Sequence, residues 1–412
     1  MGSNRTTKTR TAWLSNGDIH KPELFIYCGI PEIVMQTLSN LKFDFDEDKS
    51  LEYTHSIHPY PAKFPAELPR KILQDFSKPG DLVLDPFCGS GTTLVEARVR
   101  GIDAIGVDIN GLACLISKVK ATPISLDQYS QLRRFIQTVE ELSFQWTTGA
   151  RIPIEVPDFD GMSHWFQQNV AEEITIILSH IDELDDNDSK DFLRVVLSSI
   201  IVRVSNQESD TRFAAISKNI PDGFCLSLFA ERAKAYLKKL MEFSKSVSHA
   251  SSVQVFNADA RNLGFLSDNS IDLIVTSPPY ANTYDYYLYH KFRKRWLGLD
   301  VKFAQYNEIG SRREFSSLKE TPEKWLTDLS LCFSEMNRVL KTGSLAFVVI
   351  GDSVINKVII RMDEEVTKLS SLVGFTVRHI VSSELANHSK IFNPSFAQKG
   401  KKEHLIILQK VQ

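Results

Sequence analysis

The chain has 412 residues, a composition ordinary for a globular protein and a formal net charge of −3. That length calls for a large domain with an appended or inserted part, and the charge excludes a polycation, so a nucleic-acid partner would have to meet a local basic patch. No apolar run approaches the ~20 residues that cross a bilayer, and the polar opening "MGSNRTTKTRTAWLSNGDIH" has no signal-peptide core. The cysteines at 28, 88, 114, 225 and 332 form no CxxC or Cys/His cluster. They argue against a disulfide framework or a structural zinc and for a reducing, cytoplasmic home, and because His290, His388 and the other histidines show no metal spacing, no metal is expected.

Residues 81–110, "DLVLDPFCGSGTTLVEARVRGIDAIGVDIN", read as a β-loop-α-β unit. A short apolar strand ends at Asp85, a glycine-bearing turn leads into a helix of about two turns, and "DAIGVD" is a second strand ending at Asp108. Glycines at a strand-to-helix turn mark a doubly wound sheet that binds a nucleotide-like cofactor at its strand ends. Residues 121–250 carry apolar residues at helical spacing and read as a helical insertion without strands, a candidate contributor to target recognition. Strand patterns resume at "VQVFNADARNL" (253–263), "IDLIVTSPPY" (271–280), "SLAFVVIGDS" (344–353), "FTVRHIV" (375–381) and "KEHLIILQK" (402–410). They predict a mostly parallel sheet with an antiparallel ending.

Asp85, Asp108 and Asp259 each lie just past a strand. Asp108, about 20 residues beyond the first turn, suits ribose hydroxyls, and Gly89 and Gly91 let backbone approach a ligand. The loop lacks the lysine of a phosphate-cradling motif, so a cationic cofactor fits an acid at Asp85 better than a pyrophosphate does. S-adenosylmethionine carries a sulfonium and an amino group. A structural turn with acidic caps is the competing reading of this loop taken alone. Two strands later, Ser277-Pro278-Pro279-Tyr280 closes an apolar run with a stiff elbow, because consecutive prolines cannot continue a central strand. Such an elbow holds acceptors at fixed positions, and Tyr280 offers a face for a planar ring.

"DPFCGSG" followed by "TSPPY" resembles the amino-methyltransferases of DNA, which move a methyl group from S-adenosylmethionine to cytosine N4 or adenine N6. "HPYPAKFPAELPRKIL" (58–73) resembles the segment these enzymes place around the cofactor's methionine end, and the resemblance covers roughly two thirds of the chain. It implies a Rossmann-like class I methyltransferase fold with a mostly parallel seven-stranded sheet. The catalytic domain would comprise 51–120 and 251–412, preceded by an extension at 1–50 and interrupted by the helical insertion. By motif position, Asp85, Pro86, Phe87, Gly89, Ser90, Gly91 and Thr92 would line the cofactor. Asp108 and Ile109 would meet its ribose, Asp259 and Ala260 its adenine, and Tyr60, Lys63 and Phe64 would close over it. Ser277, Pro278, Pro279 and Tyr280 would hold the target base.

Serine before Pro-Pro-Tyr is associated mainly with cytosine N4 enzymes, though some adenine enzymes share it. The resemblance therefore implies a site-specific cytosine-N4 methyltransferase acting on double-stranded DNA, with an adenine-N6 enzyme or an RNA amino-methyltransferase as alternatives. Direct in-line attack on a flipped-out base needs no covalent enzyme–base intermediate, so Cys88 is expected to pack and not to react. Lys291, Arg293, Lys294 and Arg295, with Arg312 and Arg313, are the expected phosphate contacts, a solvated charged face being the competing reading of each. "NHSKIF" (387–392) and "KGKK" (399–402) are weaker candidates. A prokaryotic, nucleoid-associated protein of a restriction-modification or defence system is the setting implied, with a cognate restriction endonuclease as its expected companion.

Overall fold

The computed structural model describes residues 52–411 except 62, 64, 211, 248–249 and 385–399. Helix α1 (Glu67–Phe76) precedes strand β1 (Leu82–Asp85), which turns through the glycines into α2 (Thr92–Val99), then β2 (Asp103–Asp108) and α3 (Gly111–Ala121). Gly91 caps α2 in the left-handed region at φ 83°, where a side chain is doubly excluded. A Cβ there would stand 2.7 Å from the Ser117 Cβ on α3. The predicted insertion follows as α4 (Leu126–Thr147), α5 (Met162–Trp165), α6 (Gln168–Asp182), α7 (Asn187–Val204) and α8 (Phe224–Ser246). It is not wholly helical, because β3 (Gln207–Ser209) and β4 (Arg212–Ala215) form a small hairpin too short for period-2 patterning to reveal.

Strands β5 (Val253–Asn257) and β6 (Ile271–Thr276) return to the main sheet. After the proline elbow come four short helices, α9 (Tyr286–Tyr289), α10 (Lys291–Trp296), α11 (Lys302–Asn307) and α12 (Arg312–Ser316), then α13 (Pro322–Val339) with its proline in the first turn. Strand β7 (Leu340–Gly351), a hairpin of β8 (Ser353–Ile355) and β9 (Val358–Ile360), α14 (Met362–Leu372), β10 (Phe375–Glu384) and β11 (Lys402–Lys410) complete the chain.

The main sheet has seven strands in the order β10-β11-β7-β6-β1-β2-β5. β7, β6, β1, β2 and β5 run parallel, and β11 pairs antiparallel with both β7 and β10, as the strand patterns predict. Alternate residues feed two cores: Leu273, Val275 and Phe347 pack under α1 and α2, while Ile274, Ala346 and Val348 pack under α13 and α14. Burial on both faces explains why these strands read as unbroken apolar runs. A third core joins the insertion to α3 and to α10, so the insertion rests on the helix layer of the sheet.

Candidate active site

The chain order reverses between β1 and β6, and there the parallel strands open a crevice at their C-terminal ends. A cavity of about 310 Å³ occupies it. The three strand-end acids share one local geometry, each accepting a hydrogen bond from the backbone N–H two residues on. Phe87 N donates to Asp85 Oδ1 (3.2 Å), Asn110 N to Asp108 Oδ1 (2.8 Å) and Arg261 N to Asp259 Oδ1 (2.9 Å). This is the turn that aspartate builds with its own chain.

Beyond that turn the three diverge. Asp108 lines the cavity, and its second oxygen accepts from Gly89 N at 2.9 Å, tying strand β2 to the glycine turn. Burial raises its pKa to about 6 against the pull of those two amides. Asp259 also lines the cavity, but Arg261 grips it through Nε (3.0 Å) and a terminal nitrogen (2.7 Å), and a further nitrogen of Arg261 reaches Asp328 at 2.7 Å. Asp85 does not line the cavity. It is 1% exposed, and its Oδ1 accepts from the Thr276 hydroxyl at 2.7 Å. The expected cofactor contact from Asp85 is therefore replaced by a clamp between the ends of β1 and β6, behind the turn. Gly91 likewise stands behind the wall, pressed on Ser117, and the other described cofactor candidates all line the cavity. Phe64, residues 387–392 and Lys399 lie outside the described residues.

The opposite wall comes from distant parts of the chain. Tyr60 stacks on Tyr286 (centroids 6.0 Å apart) and on His290 (5.1 Å), with 17° between the planes in both pairs. Lys63 faces the cavity and donates to the His55 carbonyl at 3.0 Å. Glu308 lines the cavity from the end of α11 and accepts from Tyr286 N at 2.8 Å, while its Oε2 is buried without a hydrogen-bond partner. Burial, with Asp285 nearby, pushes its pKa up to about 8. The proline elbow reaches the cavity as expected, with Ser277, Pro278, Pro279 and Tyr280 all on its surface. Tyr280 donates to Glu403 Oε1 at 2.7 Å, and its ring packs where a Cβ on Gly351 would come within 2.8 Å.

Among the described residues, four carboxyl side chains (Asp108, Asp259, Glu308, Glu403) and a single ammonium, Lys63, line the space. That balance suits a ligand carrying positive charge and offers no cradle of cations for phosphate. Ser90 Oγ at the turn and Asn110 Nδ2 beside Asp108 are buried without a hydrogen-bond partner among the described residues, as a site for a polar ligand would leave them.

A family model described as DNA methylase matches residues 5–119 and 271–405, which between them carry the glycine turn and the proline elbow. The chain belongs to that family. It is an S-adenosylmethionine-dependent DNA amino-methyltransferase of the N4/N6 type, and the described residues fit that cofactor by charge and by the acids at their strand ends. The type II methyltransferase M.MvaI of Kocuria varians is 26% identical over 397 residues, covering 84% of this chain and 86% of that protein. M.MjaII of Methanocaldococcus jannaschii, also a type II methyltransferase, is 23% identical over 400 residues, covering 76% and 75%. The stretch between the two matched parts of the family model contains the insertion.

Two of the expected phosphate contacts of this methylase are enclosed. Arg293 is 1% exposed and donates from Nε to the Ser198 carbonyl at 2.9 Å, and it pairs with Asp210 of the hairpin loop. Lys294 is fully buried, with a pKa lowered by burial and its Nζ without a hydrogen-bond partner among the described residues, in the field of Glu308 and Asp108. Helix α10 packs Phe292 and Trp296 into the insertion core, and Arg293 and Lys294 between them go in with it. The i, i+4 spacing of those two aromatics was the available signal. Arg295 is turned to the Asp160 carbonyl (2.9 Å) and the Phe159 ring (5.4 Å). Lys291, Arg312 and Arg313 keep part of their surface exposed.

Sequence reasoning also missed Glu403 and Glu308. Glu403 opens the last strand and Glu308 lies in a loop between short helices, and only the tertiary fold brings either to the elbow's cavity. Asp352, Asp363 and His404 gather ligand atoms within 4.8 Å. Asp352 is already engaged by Arg361 (2.6 Å), Lys402 N (2.9 Å), Met362 N (3.0 Å) and His404 Nε2 (3.1 Å), which makes the group a hydrogen-bonded anchor. Among the described residues, no helix is long and apolar enough to cross a membrane.

Proposed function

We propose that this enzyme methylates the exocyclic N4 of cytosine in double-stranded DNA, on a base swung out of the helix into the cavity. The observation that carries this reading is Ser277-Pro278-Pro279-Tyr280 opening, at the end of β6, on the same space as Asp108 and the glycine turn. The amine of cytosine is a poor nucleophile because its lone pair is delocalised into the ring. Ser277 Oγ and the Pro278 carbonyl accept its two N–H bonds, favour a pyramidal nitrogen and free that lone pair, while the stiffness of Pro278-Pro279 keeps both acceptors in place. Tyr280 gives the base a face that offsets part of the stacking lost on flipping. A serine supplies an acceptor without adding another carboxylate to an already acidic cavity.

The cofactor supplies an electrophilic methyl group on a sulfonium. Asp108 accepts from the ribose hydroxyls, Asp259 faces the adenine with its charge balanced by Arg261, and Tyr60 and Lys63 cover the remainder. Cys88 takes no part: its thiol is 5% exposed and burial holds its pKa well above the ordinary value, so no thiolate forms near neutrality. Lys291, Arg312 and Arg313 are the phosphate contacts, and target reading falls to the segment after the elbow together with the insertion. The type II relatives support a place in a restriction-modification system, with a companion endonuclease.

The test is nucleoside mass spectrometry on DNA digested after incubation with the enzyme and isotopically labelled S-adenosylmethionine. Labelled N4-methylcytosine is expected. Labelled N6-methyladenine would keep the elbow's chemistry and overturn the choice of base, and label in RNA alone would overturn the choice of DNA.

A further inference from the structure

Methylation of a neutral amine leaves one proton too many on nitrogen, and the residues assigned to the amine so far only accept hydrogen bonds. Ser277 and Tyr280 share the cavity wall, and Ser277, as a polar neighbour of the Tyr280 hydroxyl, opposes the rise that burial imposes on the Tyr280 pKa. Tyr280 in turn donates to Glu403 Oε1 at 2.7 Å. Burial alone asks for a partner for that hydroxyl, but a carboxylate is a partner that can also take its proton. Glu403 lies at the cavity edge of β11, half-buried, opposite Gly351 on β7 and Ser383 on β10, neither of which carries charge.

We propose that Ser277, Tyr280 and Glu403 form a proton outlet, with Glu403 as the terminal base that receives the proton released by the methylated amine. The inference rests on the assignment of Ser277 to the target amine. As the N–CH3 bond forms and the S–CH3 bond breaks, the sulfonium takes the S–CH3 electron pair and the nitrogen becomes cationic. Its N–H proton passes to Ser277 Oγ, the serine proton to Tyr280 Oη and the tyrosine proton to Glu403 Oε1. The products are a neutral secondary amine, a neutral thioether and a protonated Glu403, which then loses its proton to solvent. No charge remains on Ser277 or Tyr280 at the end. Among the described residues, the titratable groups that act on Glu403 are Tyr280 and His404; burial raises the Glu403 pKa, and both neighbours oppose the rise. A raised pKa makes the carboxylate a better proton acceptor.

The experiment is single-turnover methylation of a DNA substrate by the full chain, with the cofactor bound in excess, across a pH series. Glu403→Gln keeps an acceptor for the Tyr280 hydroxyl, so the ring stays in place, but the amide cannot take the proton. The expected result is a rate about 100-fold lower, within the range for loss of a general base. The acid-side fall of the wild-type rate should also disappear from the profile. Binding of S-adenosylhomocysteine, measured by calorimetry, should stay near the wild-type value. Tyr280→Phe, which retains the ring and cuts the chain, should match Glu403→Gln, and it carries the test if Glu403→Gln does not fold. A wild-type rate with the wild-type acid limb in the folded variant overturns the outlet. Ser277→Ala assayed alongside separates the two ideas: inactivity there with a normal Glu403→Gln removes the outlet alone, and normal turnover there removes the assignment of Ser277 itself.

Discussion

The two walls of the cavity are built on different principles. On the strand-end wall, each acid is held by an amide two residues away, and the glycine turn fits because Gly91 lacks a Cβ. On the opposite wall, Tyr60 stacks on residues more than 200 positions later, and Glu308 accepts from an amide 22 residues back. The first wall is made of short-range turns that any chain with that motif would form. The second exists only once the insertion, α10 and the segment before α1 have packed together. The strand-end wall thus rests mainly on local structure, and enclosure of the cavity depends on long-range assembly.

The largest expected effect separates chemistry from binding. Ser277→Ala should lower single-turnover methylation by at least ~100-fold while leaving S-adenosylhomocysteine affinity unchanged, as loss of a group that acts mainly in the transition state does. Wild-type turnover would detach the elbow from the reaction. Asp108→Asn should instead weaken cofactor binding by ~30-fold, in keeping with about 2 kcal/mol for hydrogen bonds to a charged acceptor. Because the Asp108 carboxyl has a pKa of about 6, wild-type binding should fall as pH drops through that value, and the asparagine variant should lack the fall. Calorimetry at several pH values decides it, and retention of the fall in the variant would move the titration to another group.

A contrast of cations tests the long-range wall. Arg293→Ala leaves Asp210 and the Ser198 carbonyl without their partner and should destabilise the fold by about 3 kcal/mol, read as a lowered urea midpoint. Arg313→Ala should leave the midpoint alone and flatten the salt dependence of DNA binding by about one unit of slope. If the two variants exchanged phenotypes, the burial of α10 would be refuted.

The last test is a pH series on Glu308. Its folded pKa of about 8 lies above its ordinary value of 4.5, so this group favours the fold most at low pH and loses that contribution as pH rises to about 8. Glu308→Gln should therefore gain stability relative to wild type between those values and hold the gain above them. Denaturation midpoints at pH 6, 7, 8 and 9 would show it, and a constant difference would place the carboxyl in contact with solvent.

Much of the fold was legible in the sequence because the parallel strands are buried on both faces and stop at aspartate or proline. The hairpins β3–β4 and β8–β9 were not, since strands of three or four residues carry too little pattern. In the site, the glycine turn and the elbow announced themselves through residues that only a sharp bend requires. Asp85 misled because an acid past a strand reads the same whether it faces a ligand or clamps Thr276. Arg293 and Lys294 misled for a related reason: positive charge suggests phosphate, and the i, i+4 spacing of Phe292 and Trp296 that turns the helix inward was outweighed by the four basic residues around it. Glu403 and Glu308 carried no local sign at all.

The seat of Arg293 bears on how such a protein could be taken apart. Its guanidinium belongs by sequence to the catalytic lobe, yet its partners Ser198 and Asp210 belong to the insertion, and His58, just before the cavity residue Tyr60, reaches Ser198 Oγ at 2.8 Å. Trimming the chain to a minimal enzyme by excising 121–250 would strand a cation in a wall that now faces water. A graft of this insertion onto another scaffold would have to carry His58 and α10 with it, so the unit of exchange is larger than the segment that interrupts the sheet.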